Sequence, residues 1–365
     1  MKKLIAVILI LIMLPVVPVK AIETSAKSAV VMDGISGEIL YAKNSDERLS
    51  MASTTKIMTA LLLCEQGDLE KIVTVTREMV YVEGTSMGLK VGDKVSLNDL
   101  LYGMLLSSGN DAANATAIAV GGSIENFVFL MNKKAEELGL NNTHFNTPSG
   151  LDGDSHYTTS YDLAKLTLCA LNNCDFYKAS STKTKTVKIG DRKVTLSNHN
   201  RLLSSYDGAI GVKTGFTKKS GRCLVTAAER DGARVIAVTL NDKNDWKDHT
   251  EMLNYGFSRI DNNIVFNDKE YEIPVFGGEE KTVKITSQKA QFKTVTGKNI
   301  EKIEYILPYL YAPVKAGEVI GYIEYKGDGY TVAKQTLYAE NDIKAKENES
   351  FSKRVKFTFL NMLRI

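Results

Sequence analysis

Three short motifs carry the residue types that acyl transfer by a serine requires. In chain order they are Ser53-Thr54-Thr55-Lys56, Ser108-Gly109-Asn110 and Lys213-Thr214-Gly215. Together they supply a hydroxyl nucleophile, an amine that can act as its base, a second hydroxyl for proton relay and a cation that can anchor a substrate. Similar tripeptides and tetrapeptides recur elsewhere in the chain, so the surroundings of each copy decide which ones are functional.

The first motif opens a run that is predicted to form a helix over residues 53–66. Ser53 and Lys56 are three residues apart, so on a helix they lie one turn apart on one face. A serine hydroxyl needs a neighbouring base, and a lysine can be that base when burial and a nearby cation lower its pKa. The run is almost entirely apolar after Lys56 and ends before Gly67, which predicts this burial. An N-cap serine beside a solvated lysine is the alternative.

The other two motifs lie where polar side chains can reach a cleft. Ser108-Gly109-Asn110 falls in a break between helical runs at 97–106 and 111–120, and its glycine allows a tight loop. Lys213-Thr214-Gly215 places an ammonium beside a hydroxyl on a predicted strand edge, with a glycine that lets a substrate backbone approach. A plain interhelical turn and a solvated strand lysine are the respective alternatives.

The rival copies lie in less suitable surroundings. Residues 180–183 belong to a polar run predicted to be an exposed loop or edge, and residues 350–353 lie in the tail. Ser96 is followed three residues later by Asp99, which predicts a helix N-cap. Residues 219–221 are predicted to form a turn. We therefore expect none of these copies to be catalytic.

Composition excludes several classes of protein. The 365 residues favour about two domains, and 46 basic against 43 acidic residues give a net charge of +3, too balanced for a nucleic-acid partner. Four cysteines are too few for a disulfide scaffold, and the four histidines show no metal-ligand spacing. We expect no cofactor, no metal and no nucleic-acid partner.

The N-terminus has the pattern of an export signal. Lys2 and Lys3 precede an apolar run over residues 4–19, and Val19-Lys20-Ala21 matches a small-x-Ala cleavage site. This predicts a cleaved signal peptide over residues 1–21 and a mature chain that begins near Ile22, outside the cytoplasm. The alternative is an uncleaved anchor, for which the run is short.

Two predicted hairpins enclose the catalytic motifs. Residues 29–43 and 222–240 each show two strand-like runs around a glycine-containing turn, and helical patterns occupy 124–138 and 161–171, the latter with Ser160 as a plausible N-cap. The sheet should therefore draw strands from both ends of a catalytic domain over residues 22–261, with a helical insertion between them. Short β-rich runs predict a second, all-β domain over residues 262–348.

The tail over residues 349–365 is predicted to be amphipathic. Apolar residues at helical spacing share one face, namely Phe351, Val355, Phe359 and Met362. Basic residues lie mostly on the other side, namely Lys353, Arg354, Lys356 and Arg364. As a helix, the fifteen residues 351–365 would span about 22 Å, less than the roughly 30 Å of a bilayer core, so we expect the tail to lie on a membrane surface. A helix packed on the chain's own β-rich domain is the alternative.

With these motifs, the chain resembles the low-molecular-mass penicillin-binding proteins, the D-alanyl-D-alanine carboxypeptidases of serine peptidase family S11. Ser108-Gly109-Asn110 replaces the Ser-Asp-Asn of related enzymes. Further matches are Asn142-Thr143-His144-Phe145, Pro148-Ser149-Gly150-Leu151, His156-Tyr157-Thr158-Thr159 and Lys213-Thr214-Gly215-Phe216-Thr217. The resemblance covers nearly the whole mature chain. It implies the α/β (α+β) penicillin-binding-protein and β-lactamase-like transpeptidase fold, an antiparallel sheet flanked by helices, plus a small C-terminal all-β domain.

The resemblance also implies an activity, residue roles and partners. The enzyme would remove the terminal D-alanine from peptidoglycan pentapeptide stems through an acyl-enzyme on Ser53, with β-lactam antibiotics as covalent inhibitors. Lys56 would accept the serine proton, Ser108 would relay a proton to the leaving amine, and the backbone N–H groups of Ser53 and Phe216 would form the oxyanion hole. The implied substrate-binding residues are Asn110, Lys213, Thr214, Gly215, Phe216 and Thr217.

One element of the resemblance has no clear match, and two alternatives stay open. Some relatives use a further arginine for the substrate carboxylate, for which Arg222 and Lys243 are the candidates. A β-lactamase is one alternative, but in class A it needs a glutamate between the second and third motifs, and no glutamate occurs over residues 138–228. A catalytically idle peptidoglycan-binding protein is the other. The expected location is outside the cytoplasmic membrane, peripherally bound at its extracellular or periplasmic face.

Overall fold

The computed structural model describes residues 22–151, 153–265, 271–287, 290–327 and 330–346. The predicted signal peptide and tail therefore lie outside the described residues. The helices are α1 Lys56–Gln66, α2 Arg77–Val80, α3 Leu97–Leu105, α4 Asn110–Gly121, α5 Ile124–Glu137, α6 Ser160–Leu171, α7 Cys174–Ser180, α8 Leu202–Ser205 and α9 Asp245–Ser258. The strands up to residue 242 are β1 Ser28–Asp33, β2 Ile39–Lys43, β3 Ile72–Thr74, β4 Lys94–Ser96, β5 Thr184–Ile189, β6 Arg192–Ser197, β7 Ala209–Thr217, β8 Gly221–Arg230 and β9 Ala233–Asp242. The later strands are β10 Ile260–Val265, β11 Glu272–Phe276, β12 Thr282–Ser287, β13 Ala290–Val295, β14 Ile300–Ile306, β15 Leu310–Tyr311, β16 Val319–Gly327 and β17 Tyr330–Ala339.

A five-stranded sheet forms the frame of the catalytic region. Its order is β2-β1-β9-β8-β7, and every neighbouring pair is antiparallel. Both predicted hairpins are confirmed, since β1 pairs with β2 and β8 pairs with β9. Strand β7, which carries the third motif, is an edge strand, so one side of its backbone faces the helical part of the fold.

Helices cover both faces of this sheet because its central strands are apolar on both sides. On one face, Ala29 and Val31 pack with Met252 and Leu253 of α9. On the other face, alternate strand residues belong to a larger core with the apolar residues of α1, α3, α4 and α6. The predicted antiparallel sheet flanked by helices is confirmed.

The ends of two helices differ in part from expectation. Helix α6 begins at Ser160, and its N-cap is Thr159, whose hydroxyl accepts from the Asp162 N–H, rather than Ser160 as predicted. Ser160 instead bonds through its hydroxyl to Ser28. At α3 the prediction is confirmed, because Ser96 accepts from the Asp99 N–H at 3.0 Å.

The C-terminal region is all-β, as expected. Six strands form a sheet in the order β14-β16-β17-β12-β11-β15, and β10 pairs with β13. Residues 307–309 join β14 to β15, which are the two edge strands of the six-stranded sheet. Four backbone steps from Ile306 to Leu310 span at most about 14 Å, so the sheet must curl until its edges approach.

None of the described helices is long and apolar enough to cross a membrane.

Candidate active site

The first motif folds as a tight turn in front of α1. Residues Ala52–Thr55 form a 3₁₀ turn, so the α-helix begins at Lys56 rather than at Ser53 as predicted. In a 3₁₀ turn, side chains three residues apart eclipse each other, and Lys56 Nζ lies 3.0 Å from Ser53 Oγ. A neighbouring loop holds the turn closely, since a Cβ on Gly150 would come within 2.0 Å of the Ala52 carbonyl oxygen.

Lys56 is completely buried and bonded in three directions. Its Nζ donates to Asn110 Oδ1 at 2.7 Å and to the Ser149 carbonyl at 2.6 Å, in addition to its contact with Ser53. Burial lowers the pKa of Lys56 well below its ordinary value, the Lys213 cation lowers it further, and Asp111 acts in the opposite direction.

This arrangement suits a neutral lysine. A neutral amine has two N–H donors and one lone pair. In a neutral amine the two donors serve Asn110 Oδ1 and the Ser149 carbonyl, and the lone pair then lies on the side of the Ser53 hydroxyl; a charged ammonium would donate to that hydroxyl instead. The Nζ of Lys56 is therefore within hydrogen-bond reach of the Ser53 hydroxyl.

The third motif lies on β7 against the turn that carries Ser53. A Cβ on Gly215 would lie 3.1 Å from the backbone nitrogens of Ser53 and Thr54, so the close approach favours glycine. Lys213 is 1% exposed, and its Nζ donates to the Thr214 carbonyl at 2.8 Å. Burial lowers the pKa of Lys213 to about 7. Phe216, on the same strand, is 66% exposed.

The second motif turns sharply between α3 and α4. Ser108 adopts a left-handed backbone (φ 60°), and Asn110 is the first residue of α4. The Asn110 amide bridges two elements, because its oxygen accepts from Lys56 while its nitrogen donates to the Glu83 carbonyl at 2.5 Å. The Thr85 hydroxyl donates to the Ser108 carbonyl at 2.6 Å.

A buried carboxylate that the sequence analysis did not single out organises this side of the site. Asp111 is 2% exposed and accepts from the Ser86 hydroxyl at 2.6 Å. It also accepts from the backbone N–H groups of Met87, Gly88 and Leu89 at 2.9 to 3.1 Å. The segment that supplies Glu83 and Thr85 to the second motif is thereby fastened to the first turn of α4.

We expect Asp111→Ala to slow acylation about 10²-fold, because a shift of about 1 Å in Asn110 or Ser108 misplaces the groups around Ser53. The measurement is the rate of labelling by a fluorescent penicillin, with thermal unfolding recorded in parallel. Asp175→Ala is the matched control, since Asp175 also lies in the first turn of a helix but is exposed. Equal rates for the two variants would show that Asp111 does not position the site.

A cleft of about 950 Å³ gathers most of the predicted site residues. Ser53, Ser108, Asn110 and residues 214–217 line it, while Lys56 and Lys213 lie buried behind its wall. The structure thus brings all the predicted catalytic and substrate-binding residues to one place. His199 also lines the cleft, and burial together with Lys213 lowers its pKa.

Cations and one aromatic ring form another part of the wall. Arg222 and Arg201 both line the cleft, and their guanidinium groups lie 5.9 and 5.8 Å from the Trp246 ring centre. Arg222 is also paired with Asp245 at 2.9 Å. Lys243 lines an adjacent hollow of about 370 Å³. Of the two candidates for a further carboxylate-binding cation, Arg222 is the one in the cleft wall.

The rival motif copies have structural roles where they are described. Ser180 is fully buried at the end of α7 and bonds to the Tyr177 and Ile210 carbonyls, so the expectation of an exposed loop or edge is wrong for Ser180, whereas Lys183 is exposed in the loop before β5 as expected. The predicted exposure of Ser180 is wrong because this residue packs against β7, and the polar sequence around it gives no sign of that contact. Residues 218–220 form the expected turn, and residues 350–353 lie outside the described residues.

Two buried histidines support the fold around the site. The Asn146 N–H donates to His156 Nδ1 at 2.9 Å, so His156 carries its proton on Nε2 and donates to the Thr55 hydroxyl at 2.7 Å. His249 lies between the Thr226 and Thr239 hydroxyls, and burial lowers its pKa to about 3. Among the described residues, no group of three or more His, Cys, Asp or Glu side chains is placed to hold a metal ion.

Fold and site together define an active-site-serine enzyme of the penicillin-binding-protein fold. Residues 16–244 match the D-alanyl-D-alanine carboxypeptidase family of S11 peptidases, and residues 261–345 match the C-terminal domain of penicillin-binding protein 5. The chain belongs to this carboxypeptidase family.

Relatives and solved structures agree with this membership. The chain is 34% identical to the D-alanyl-D-alanine carboxypeptidase DacF of Bacillus subtilis, with 90% of this chain and 88% of the relative covered. It is 33% identical to DacC of Escherichia coli, with 89% and 86% covered. The structure of penicillin-binding protein 5 from Haemophilus influenzae aligns with a TM-score of 0.65 at 30% identity, covering 89% of this chain and 99% of that one.

These findings confirm the predicted fold class and activity. The protein is a serine-type D-alanyl-D-alanine carboxypeptidase, a cell-wall hydrolase whose family acts on peptidoglycan peptides outside the cytoplasm and binds β-lactams. The comparisons favour this activity over both the β-lactamase and the idle binding protein.

Proposed function

We propose that Ser53, Lys56 and Ser108 carry out the acyl transfer of this carboxypeptidase. The observation that supports this assignment most directly is the set of three contacts at Lys56 Nζ, one of which reaches Ser53 Oγ at 3.0 Å. Neutral Lys56 takes the hydroxyl proton as Ser53 Oγ attacks the carbonyl of the penultimate D-alanine.

The tetrahedral oxyanion is held by the backbone N–H groups of Ser53 and Phe216. As the C–N bond breaks, the proton reaches the leaving amine through Ser108, and free D-alanine departs. Water then attacks the ester on Ser53 while Lys56 accepts its proton; as the acyl C–O bond breaks, that proton passes to Ser53 Oγ, which restores the hydroxyl and releases the shortened peptide with a new carboxylate. Asn110 orients the substrate amide, and it is itself held between Lys56 and Glu83.

Lys213, Thr214 and Arg222 are proposed to bind the terminal carboxylate of the substrate. Lys213 and Thr214 are neighbours on β7 beside the Ser53 turn, and Arg222 stands in the wall of the same cleft. Gly215 lets the substrate backbone approach β7, and Thr217, the last residue of that strand, lines the cleft.

The test of this assignment is Lys213→Ala. We expect kcat/KM for release of D-alanine from a pentapeptide with a free carboxylate to fall about 10²- to 10³-fold, because a buried charge-assisted contact is lost. An amidated analogue should lose far less. Lys218→Ala is the matched control, since Lys218 also lines the cleft but on the turn after β7. Equal losses on both substrates would remove Lys213 from the carboxylate site.

The pH profile follows from the two lysines. Lys56 must be neutral, so kcat/KM rises as pH rises through its lowered pKa. Lys213 must be charged, so kcat/KM for carboxylate substrates falls as pH rises past about 7. We therefore expect a bell-shaped profile whose two limbs belong to the coupled pair. The alkaline limb should be absent with the amidated analogue; its persistence there would assign that limb to another group.

Export, domain organisation and membrane attachment complete the proposal. A signal peptide over residues 1–21 would direct the chain out of the cytoplasm, leaving a catalytic domain over 22–261 and a β-rich domain over 262–348. The amphipathic tail over 349–365 would hold the enzyme peripherally on the outer leaflet of the cytoplasmic membrane. The sequence patterns of the two termini support these assignments.

A further inference from the structure

The large apolar side chains exposed in the described part of the C-terminal region gather around one connection. Among them are Tyr305 at 42%, Leu307 at 47% and Tyr311 at 50% exposure. The segment 305–311 places a large apolar residue at every second position. We call the following set the aromatic strip: Phe276, Tyr305, Leu307, Tyr309, Tyr311 and Tyr322.

The rings of the strip form two groups. Phe276 lies 5.5 Å from Tyr309 and 6.0 Å from Tyr311, measured between ring centres, and the two tyrosines lie 5.6 Å apart. Tyr305 stacks on Tyr322 at 4.8 Å. Six backbone steps separate Tyr305 from Tyr311, so the Cα atoms of these two residues, one from each group, are at most about 22 Å apart. Tyr305, Leu307 and Tyr311 are exposed and the other three side chains are half-buried. A concentration of exposed large apolar side chains is typical of an interaction site.

The chain leaves the described domain beside this strip. The N–H of Lys346, the last described residue, donates to the Gly277 carbonyl at 3.0 Å, and Ala345 bridges to Gly278. Gly277 directly follows Phe276. The described chain therefore ends one residue away from Phe276 on the neighbouring segment.

The basic residues of the tail favour an anionic lipid surface as the partner. Beside the strip the described surface is of mixed charge: Lys334 Nζ lies 3.3 Å from the centre of the Tyr322 ring, and Lys344 and Lys346 share the end of the described chain with Glu279 and Asp342. The tail adds four basic residues, 353, 354, 356 and 364. Tyrosine rings are amphipathic and are enriched at membrane interfaces, while basic groups attract anionic headgroups.

We propose that the aromatic strip is a second membrane contact, which lies against the same lipid surface as the tail. This inference rests on the proposed attachment through residues 349–365. A tail alone would leave the enzyme free to swing, whereas two adjacent contacts fix which end of the β-rich domain faces the lipid.

The test uses Tyr311→Trp in the full-length mature chain, with vesicles that contain phosphatidylglycerol and brominated lipids. The natural chain has a single tryptophan, Trp246, in the catalytic cleft. The fluorescence of the natural chain with the same vesicles therefore gives the background signal. Tyr81→Trp is the matched control, because Tyr81 is 83% exposed but lies in the catalytic region. We expect quenching at position 311 and none at position 81. The double variant Tyr305→Ser, Tyr311→Ser should bind vesicles about 10-fold more weakly.

Each other outcome counts against the strip. Vesicle binding without quenching at position 311 overturns the strip and leaves the tail attachment standing. Failure of the full chain to bind vesicles overturns both. If the emission of the tryptophan introduced at position 311 is already blue-shifted without lipid and shifts back when residues 349–365 are removed, the tail itself covers the strip. Release of D-alanine from a soluble pentapeptide should be unchanged in every variant, which separates these results from a failure of the active-site assignment.

Discussion

Ser53→Ala is expected to abolish covalent labelling by penicillin and to lower the turnover of a pentapeptide ending in D-Ala-D-Ala by at least about 10⁴-fold. The reason is that Ser53 Oγ is the hydroxyl that lies 3.0 Å from Lys56 Nζ, the proposed base. The measurement is mass spectrometry of the intact protein after exposure to penicillin, followed by an assay for released D-alanine.

Ser180→Ala is the control for that experiment. Ser180 begins a second Ser-x-x-Lys sequence but is buried among backbone carbonyls, so its loss should leave labelling intact. A stoichiometric penicilloyl adduct on folded Ser53→Ala protein would contradict the assignment of the nucleophile.

Lys56→Met is expected to slow acylation about 10²- to 10⁴-fold, the usual contribution of a general base. The folded protein should survive the change, because methionine matches the apolar stem of lysine and removes the cost of burying an amine. Two acceptors, Asn110 Oδ1 and the Ser149 carbonyl, lose their donor, which should cost about 1–3 kcal/mol of stability each at most. The rate of β-lactam acylation by stopped flow is the measurement.

Lys183→Met provides the comparison for this variant, since Lys183 belongs to the rival motif and is exposed. The residual acylation of Lys56→Met should also lose the acid limb of the pH profile. An acylation rate equal to that of the Lys183 variant, with the limb retained, would assign the base to another residue.

Much of the fold was predictable because its signals are local. Alternating strands around glycine turns identified both hairpins, and apolar periodicity identified α1, α5 and α6 within a few residues. The 3₁₀ turn before α1 was not predictable, since it depends on the approach of Gly150 and Gly215 from distant parts of the chain. The Thr159 cap was missed by one residue, as helix ends commonly are.

The site was predictable in its side chains but not in its backbone. The motifs identified Ser53, Lys56 and Asn110, whereas the Ser149 and Glu83 carbonyls that complete their bonding have no sequence signature. Asp111 did leave a signal, an acidic residue directly after the second motif and in the first turn of a predicted helix. Its role became clear only from the structure, in which the loop at 86–89 donates hydrogen bonds to its carboxylate.

The burial of Lys213 has a consequence for the free energy of unfolding. An unfolded chain holds this proton up to about pH 10.5, whereas the folded protein releases it near pH 7. Between these pH values the unfolded state binds more protons, so the free energy of unfolding rises with pH. Below pH 7 the folded state bears the full cost of keeping Lys213 charged while it is buried. At about 1.4 kcal/mol for each pH unit, that penalty is of the order of 5 kcal/mol. The proposed carboxylate-binding cation is thus kept buried at a cost to the stability of the folded protein.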